Sequence, residues 1–248
     1  MSRALQLMFA VSLTMGIPTT SLAKNGAQMD LPRASVVALY GRRGLVCSGV
    51  VIAPRLILSA RHCQGVKSVI YTSSKNIRRE TAVIRRRFPR TTRADIAVFE
   101  VKDDLLVTPV ALRTMPIPTT QTPVVAMGFG RDTRIGSTGG ILRELPLTMR
   151  GSNCNGLGAI QYGCVTGMEF VLPRNDSGHD TCSGDSGGPV FVRTDLGWEV
   201  IGITSRSVAR AVLPCGDGGI YSLVAPLQPW FKRLAHQNRD KKNNEKSN

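Results

Sequence analysis

Nine short runs rich in β-branched and apolar residues recur along this chain, closed off by glycine, proline or charged residues. They are SVVALY at 35–40, CSGVVIAP at 47–54, SVIYTS at 68–73, TAVIR at 81–85, DIAVFEV at 95–101, TPVVAMGFG at 122–130, GPVFV at 188–192, WEVIGIT at 198–204 and GGIYSLV at 218–224. Repeated short strands with turn residues between them describe an all-β barrel or sandwich. A stretch rich in Pro and Thr, MPIPTTQTP at 115–123, divides the runs into two groups and suits a connector between two β units. From Pro226 to Gln237 the period changes: Leu227, Trp230, Phe231 and Leu234 fall on one face of a helix, expected to pack onto the second unit. The remainder, 238–248, is too polar to bury and is expected to be a disordered basic tail.

Residues 1–23 read as an export signal: Arg3, a mostly apolar stretch from Ala4 to Pro18, and the small-residue ending Ser21-Leu22-Ala23. Gln6, Ser12 and Thr14 interrupt the stretch, which falls short of the roughly 20 apolar residues of a membrane span. Secretion, to the cell exterior or a periplasm, is therefore expected, with no membrane span. Six cysteines form an even set, as a disulfide framework in an exported chain requires, and sequence alone leaves about 15 pairings open. A structural zinc site is the competing use, but no cysteine pair has the close spacing such sites prefer, and no metal is expected.

The formal charge is +15, less one for Arg3 once the signal is removed, and such a balance favours anionic partners or surfaces. Arg85, Arg86, Arg87, Arg90 and Arg93 form the densest cluster. Phe88 is the one aromatic among them, so the reading is solvated surface charge and no dedicated nucleic-acid site.

The chemistry is concentrated in GDSGGP, Gly184 to Pro189. Glycines on both sides of Ser186 let the main chain turn tightly and present its own amides to a substrate. Two such donors, here the N–H groups of Gly184 and Ser186, aimed where charge develops in acyl transfer, matter by about 3 kcal/mol each. A serine alone is inert at neutral pH and needs a base and an orienting acid. Of three histidines, only His62 follows an apolar, strand-like run (VVIAPRLILSARHC); His179 abuts a polar loop and His236 sits in the polar C-terminal helix. Asp95 stands at the entry of the strand RADIAVFEV, where a buried carboxylate could accept the second ring proton of His62 and stabilise the imidazolium.

The order His62, Asp95, Ser186, with LSARHC, DIAV, MGFG, CSGDSGGPV and GITS around it, resembles the trypsin-like (chymotrypsin-fold) serine protease family from about Ser35 to Gln237. Arg61 stands where an alanine is usual. The resemblance implies two six-stranded antiparallel Greek-key barrels packed together with a C-terminal α-helix. Residues 24–114 would then form the first barrel, 115–225 the connector and second barrel, and 226–237 the helix. It also picks one cysteine pairing: Cys47 with Cys63, Cys154 with Cys164, and Cys182 with Cys215.

By the same registration Asp180, in NDSGHDT, forms the floor of the primary specificity pocket, so substrates carry Arg or Lys before the cut. Thr181, Ser183 and Gly219 line that pocket, and Ser205, Arg206 and Ser207 pair with the substrate backbone as an added strand. Arg206 replaces a usual aromatic and is expected to favour acidic side chains one to three residues upstream of the cut; the β-carbon of Ser207 is expected to narrow the pocket neck. Family members gain activity when a new N-terminal ammonium pairs with the acid before the serine, here Asp185. No Ile-Val-Gly-Gly word is present, and signal removal just before Lys24 is expected to supply the ammonium. The short stretch between His62 and Asp95 holds only Glu80 as an acid, so the calcium loop of some relatives is expected to be missing. The implied protein is a monomeric endopeptidase without cofactor, acting on proteins or peptides and open to proteinaceous inhibitors. The rival reading is a catalytically idle, cationic binding protein derived from a protease.

Overall fold

The computed structural model describes residues 31–90, 92–119, 121–132, 138–173, 180–213 and 215–246, with 239–246 described by backbone alone. The export signal, Lys24 and His179 lie outside the described residues. Six strands build the first barrel: β1 (Val36–Gly41), β2 (Gly44–Ala53), β3 (Leu56–Ser59), β4 (Val66–Thr72), β5 (Arg78–Arg87) and β6 (Ala97–Val101). They close in the order β1-β2-β3-β6-β5-β4, every pair antiparallel. Closure removes the exposed edges that would otherwise invite pairing with other chains. The turn from β1 to β2 is tight, and Gly44 takes φ +111°, which a side chain would resist. Val37, Leu39, Val50, Ile57, Leu58, Val69 and Val98, drawn from both faces of these strands, are fully buried. Each such side chain contributes roughly 1.5–3 kcal/mol relative to exposure.

The second unit comprises β7 (Ala111–Leu112), β8 (Gln121–Gly128), β9 (Arg143–Arg150), β10 (Glu169–Pro173), β11 (Pro189–Thr194), β12 (Gly197–Ser207) and β13 (Gly218–Leu223). Six of them run antiparallel in the order β10-β13-β12-β11-β8-β9, a half-barrel that does not close. The short β7 adds itself to β12 in parallel, Glu199 facing Ala111. Met149, Phe170, Val190, Ile201 and Tyr221 fill its interior, with Phe170 and Tyr221 stacked 5.2 Å apart. The boundary expected at 114/115 therefore falls late, since β7 already belongs to the second sheet. The connector is shorter than expected, because Gln121, Thr122 and Pro123 open β8, where Pro123 lies beyond the β11 pairing and opposite Thr148 of β9.

Two helices complete the chain: α1 (Gly156–Tyr162) and α2 (Gln228–Lys246), the latter entered through a 3-10 turn over Ala225–Leu227. The helix expected over 226–237 thus begins later and runs on through the segment expected to be a disordered tail. No proline or glycine interrupts 230–246, and a nucleated helix extends at little cost. Nor does α2 serve the second unit alone. Phe231 and Leu234 join a core that also holds Leu56, Phe99 and Val101 of the first barrel, and Arg87 donates to Gln237 Oε1 at 2.6 Å.

Candidate active site

β3 ends at Ser59, and the chain turns through Ala60-Arg61-His62-Cys63, closed by the Cys63 amide on the Ala60 carbonyl at 3.2 Å. The Cys47–Cys63 disulfide ties this turn to β2. The His62 backbone N–H donates to Asp95 Oδ1 at 2.9 Å, while His62 Nδ1 lies 2.7 Å from Oδ2. Ser205 Oγ, from β12, donates to the same Oδ2 at 2.6 Å. Burial pushes the Asp95 carboxyl up, but the hydrogen bonds from His62 and Ser205 and the charge of the imidazole outweigh it and hold it below the usual carboxylate range. An ionised Asp95 keeps the ring proton on Nδ1, which leaves the Nε2 lone pair to act as base. The His62 side chain is 46% exposed, open to an incoming substrate.

Ser186 sits on a turn with Gly184 at φ +98° and Gly187 at φ +80°. Its carbonyl accepts the Ser48 amide at 2.8 Å, and the Gly187 amide donates to Thr204 at 2.8 Å, so both barrels hold the turn. A β-carbon on Gly187 would fall 1.9 Å from Ser59 Oγ and 2.9 Å from the Ala60 nitrogen. Only glycine lets the serine turn press this closely on the histidine turn. Among the described residues, Ser186 Oγ and His62 share no hydrogen bond, and no protein acceptor takes the N–H of Gly184 or Ser186. Catalytic hydrogen bonds of this kind tighten when substrate binds, and unengaged amides are what an oxyanion requires.

Two half-buried acids flank the turn. Asp180 Oδ1 accepts from the Thr181 amide at 2.6 Å, Thr181 Oγ1 at 3.3 Å and the Tyr221 hydroxyl at 3.3 Å; Oδ2 accepts from the Gly218 amide at 3.1 Å. Burial raises its carboxyl above the usual range in spite of these donors. A β-carbon on Gly219 would stand 2.7 Å from the Tyr221 hydroxyl and 3.0 Å from Asp180 Oδ1, so glycine there keeps the acid clear. Asp185 Oδ1 accepts from the Gly130 amide at 2.8 Å and Oδ2 from the Cys182 amide at 2.9 Å. Burial raises this carboxyl as well, with Arg143 opposing the shift. β-Carbons on Gly128 and Gly130 would come within 2.3 and 2.5 Å of its side chain, which explains the glycines of MGFG.

The sequence pattern that defines the Trypsin family matches residues 25–231. The chain belongs to the trypsin family. Its trypsin-family relatives include the snake venom serine protease rhinocerase 4 of Bitis rhinoceros, 26% identical across 94% of this chain and 95% of that protein. Human kallikrein-11 is 24% identical across 81% and 76% of the two chains, and the serine protease SP24D of Anopheles gambiae 27% identical across 79% and 74%. Among solved structures, neuropsin, a serine protease expressed in the limbic system of mouse brain, superposes with a TM-score of 0.68 over 83% of this chain and 96% of its own, at 24% identity.

Within this trypsin-family frame the three disulfides form as the resemblance implies: Cys47–Cys63, Cys154–Cys164 and Cys182–Cys215. Arg206 differs from the expectation of a free cation. Its Nη1 and Nη2 donate to Glu169 Oε1 and Oε2 at 2.6 and 2.9 Å, and Nη2 also reaches the Gly163 carbonyl at 2.9 Å. Glu169 is 2% exposed and needs a counter-charge, which Arg206 supplies. This ion pair and Val165 line a depression of about 480 Å³ that also holds His62, Arg93, Asp95 and Ser205. Ser207 is exposed on β12 directly opposite Gly219 of β13, and Ser183 is exposed with its carbonyl taking the Arg131 amide at 2.9 Å. Two contributors escape sequence reading. Ser48, fully buried, donates through Oγ to the Gly184 carbonyl at 2.8 Å and accepts the Phe129 amide at 2.8 Å. Ser205, expected only to pair with substrate backbone, also orients Asp95. Nothing in the local words CSGVV or GITS marks either role.

Proposed function

We propose that this protein is a secreted serine endopeptidase that cleaves after Arg or Lys through an acyl-enzyme. Ser186 Oγ attacks the scissile carbonyl while His62 Nε2 takes its proton. The carbonyl oxygen becomes an oxyanion between the amides of Gly184 and Ser186. As the tetrahedral adduct collapses, His62 returns the proton to the leaving amine and the peptide C–N bond breaks. Water, deprotonated by the same imidazole, then releases the acid product and restores Ser186. Asp95 holds the tautomer throughout.

The observation that carries this reading is the 2.7 Å contact of His62 Nδ1 with an Asp95 carboxylate that Ser205 also fixes, on a turn pressed against the Ser186 segment. Support for the basic preference comes from Asp180, a desolvated carboxyl whose described partners are all neutral donors. A substrate guanidinium or ammonium supplies the missing charge. The cation for Asp185 is the Lys24 ammonium released when the export signal is cut. Acetylating that amine then lowers activity, and an active protein whose N-terminus lies well beyond Lys24 overturns this step.

A fluorophosphonate probe tests the whole reading. It labels the wild-type chain and not Ser186→Ala, which folds and loses activity by about a factor of 10⁴ or more. Asp180→Ser keeps the labelling and loses the preference for Arg and Lys. Absence of labelling in the correctly processed chain favours the idle binding protein.

A further inference from the structure

A second concave site lies between the end of β5 and α2. This cleft of about 690 Å³ is lined by Arg86, Arg87, Arg90 and Arg233 over an apolar floor that includes Phe88 and Trp230, with no carboxylate in its lining. Protein acceptors meet little of this charge. Arg86 reaches the Arg61 carbonyl, and Arg87 reaches Gln237 Oε1 at 2.6 Å and Glu100 Oε2 at 3.2 Å. Arg90 and Arg233 are exposed and make no hydrogen bond or ion pair with the described residues. Inside the lining, Arg86 Nε, Arg87 Nε and Thr92 Oγ1 are buried without a partner. Desolvation and the neighbouring Arg61 guanidinium make the charge of Arg86 costly to hold. Four five-donor forks converging on three acceptors leave an excess of positive charge that an anionic partner relieves.

We propose that this cleft is a docking site for an acidic peptide segment carrying apolar side chains. Guanidinium forks take its carboxylates and the floor takes its apolar residues. The composition argues against a polynucleotide, because Arg61 already lies 4.4 Å over the Phe88 ring and occupies a stacking face. A sulfated polysaccharide has no use for the apolar floor. Thr92 lines this cleft and the adjacent Arg93 lines the depression beside His62, so one extended chain reaches both. Resting on the protease reading, the segment belongs to the substrate, upstream of the cut, and the cleft selects substrates at a distance from the scissile bond.

The binding test uses the full-length Ser186→Ala protein and a labelled peptide rich in Glu, Asp and Tyr and free of Arg and Lys. At about 0.05 M salt the peptide binds, and the Arg90→Gln/Arg233→Gln double variant weakens binding about tenfold, as does raising salt to about 0.3 M. Equal affinity in the double variant, or saturation by a sulfated polysaccharide with no peptide binding, overturns the site. The catalytic test adds that acidic segment upstream of a short Arg substrate. The extension raises kcat/KM severalfold in the wild type and not in the double variant, whereas the short substrate is turned over equally by both. No turnover of either substrate, with peptide binding intact, refutes the protease reading and leaves the docking site standing.

Discussion

Glu169 accepts both terminal guanidinium nitrogens of Arg206, at 2.6 and 2.9 Å, from a position 2% exposed at the start of β10. The pair gives what the sequence offers as a lone cation a buried counter-charge, in the depression that also holds His62. Carboxylate hydrogen bonds in turn strengthen the hold of Arg206 on its proton. Glu169→Gln keeps the shape and removes the counter-charge. The variant is expected to acquire a preference of about fivefold for acidic residues one to three positions upstream of the cut, read from a peptide-library profile. An unchanged profile means that Arg206 does not face the substrate.

Ser48 fastens the Gly184 carbonyl to the first barrel and receives the Phe129 amide from the second. Ser48→Ala leaves both part-buried groups without this partner, at a cost of about 1–3 kcal/mol in stability. Because the Gly184 amide belongs to the same turn, kcat is expected to fall about tenfold or more while KM holds, as suits a group acting on transition-state geometry. Denaturant melting and steady-state kinetics on one substrate separate the two effects.

Ser205→Ala removes one of the hydrogen bonds that depress Asp95. A carboxylate with a lowered folded-state pKa contributes stability that is present above its unfolded value and is lost as pH falls through the folded one. Without Ser205 the folded value rises towards the unfolded one, so the contribution shrinks and the variant loses less stability on acidification. Activity is expected to drop about tenfold through a less firmly held imidazole. Melting curves across acidic pH check the first outcome, and the rate of acylation checks the second.

Asp180 carries the opposite sign. Its folded-state pKa is raised by burial, so the folded chain binds the proton more tightly than the unfolded chain does. The stability that Asp180 contributes is then fully present below the unfolded value of about 3.9 and is lost as pH climbs through the raised folded value. Asp180→Asn abolishes this decline and with it the discrimination between Arg and neutral substrates. A wild-type chain whose stability, relative to the variant, does not fall over that interval refutes the assignment of a desolvated acid.

The strands most visible in the sequence are continuous apolar runs buried on both faces, as at Val36–Leu39 of SVVALY and Val200–Ile203 of WEVIGIT. β9 was illegible because RELPLTMR carries charges and Pro146 within the run. α1 was illegible because GLGAIQY holds two glycines and lacks a side-chain cap; it stands within the loop that Cys154–Cys164 closes. In the candidate site, His62, Asp95, Asp180 and Ser186 were readable as candidates because each lies in a short word whose pattern suits the proposed chemistry. Ser48, Ser205 and Glu169 were not, since their partners stand 136, 110 and 37 positions away. Contacts made only by folding leave no local trace. The helical run beyond Gln237 has no apolar period to signal it, and only the lack of proline and glycine over 230–246 permits it.

The hydroxyl of Ser48 is a rivet driven from one half of the molecule into the reactive corner of the other. A chimaera that grafts this chain's second half onto a relative with glycine at the equivalent of Ser48 would inherit a complete set of reactive groups on a loosened mount. Recombination or design across this seam must therefore carry both sides of the joint together.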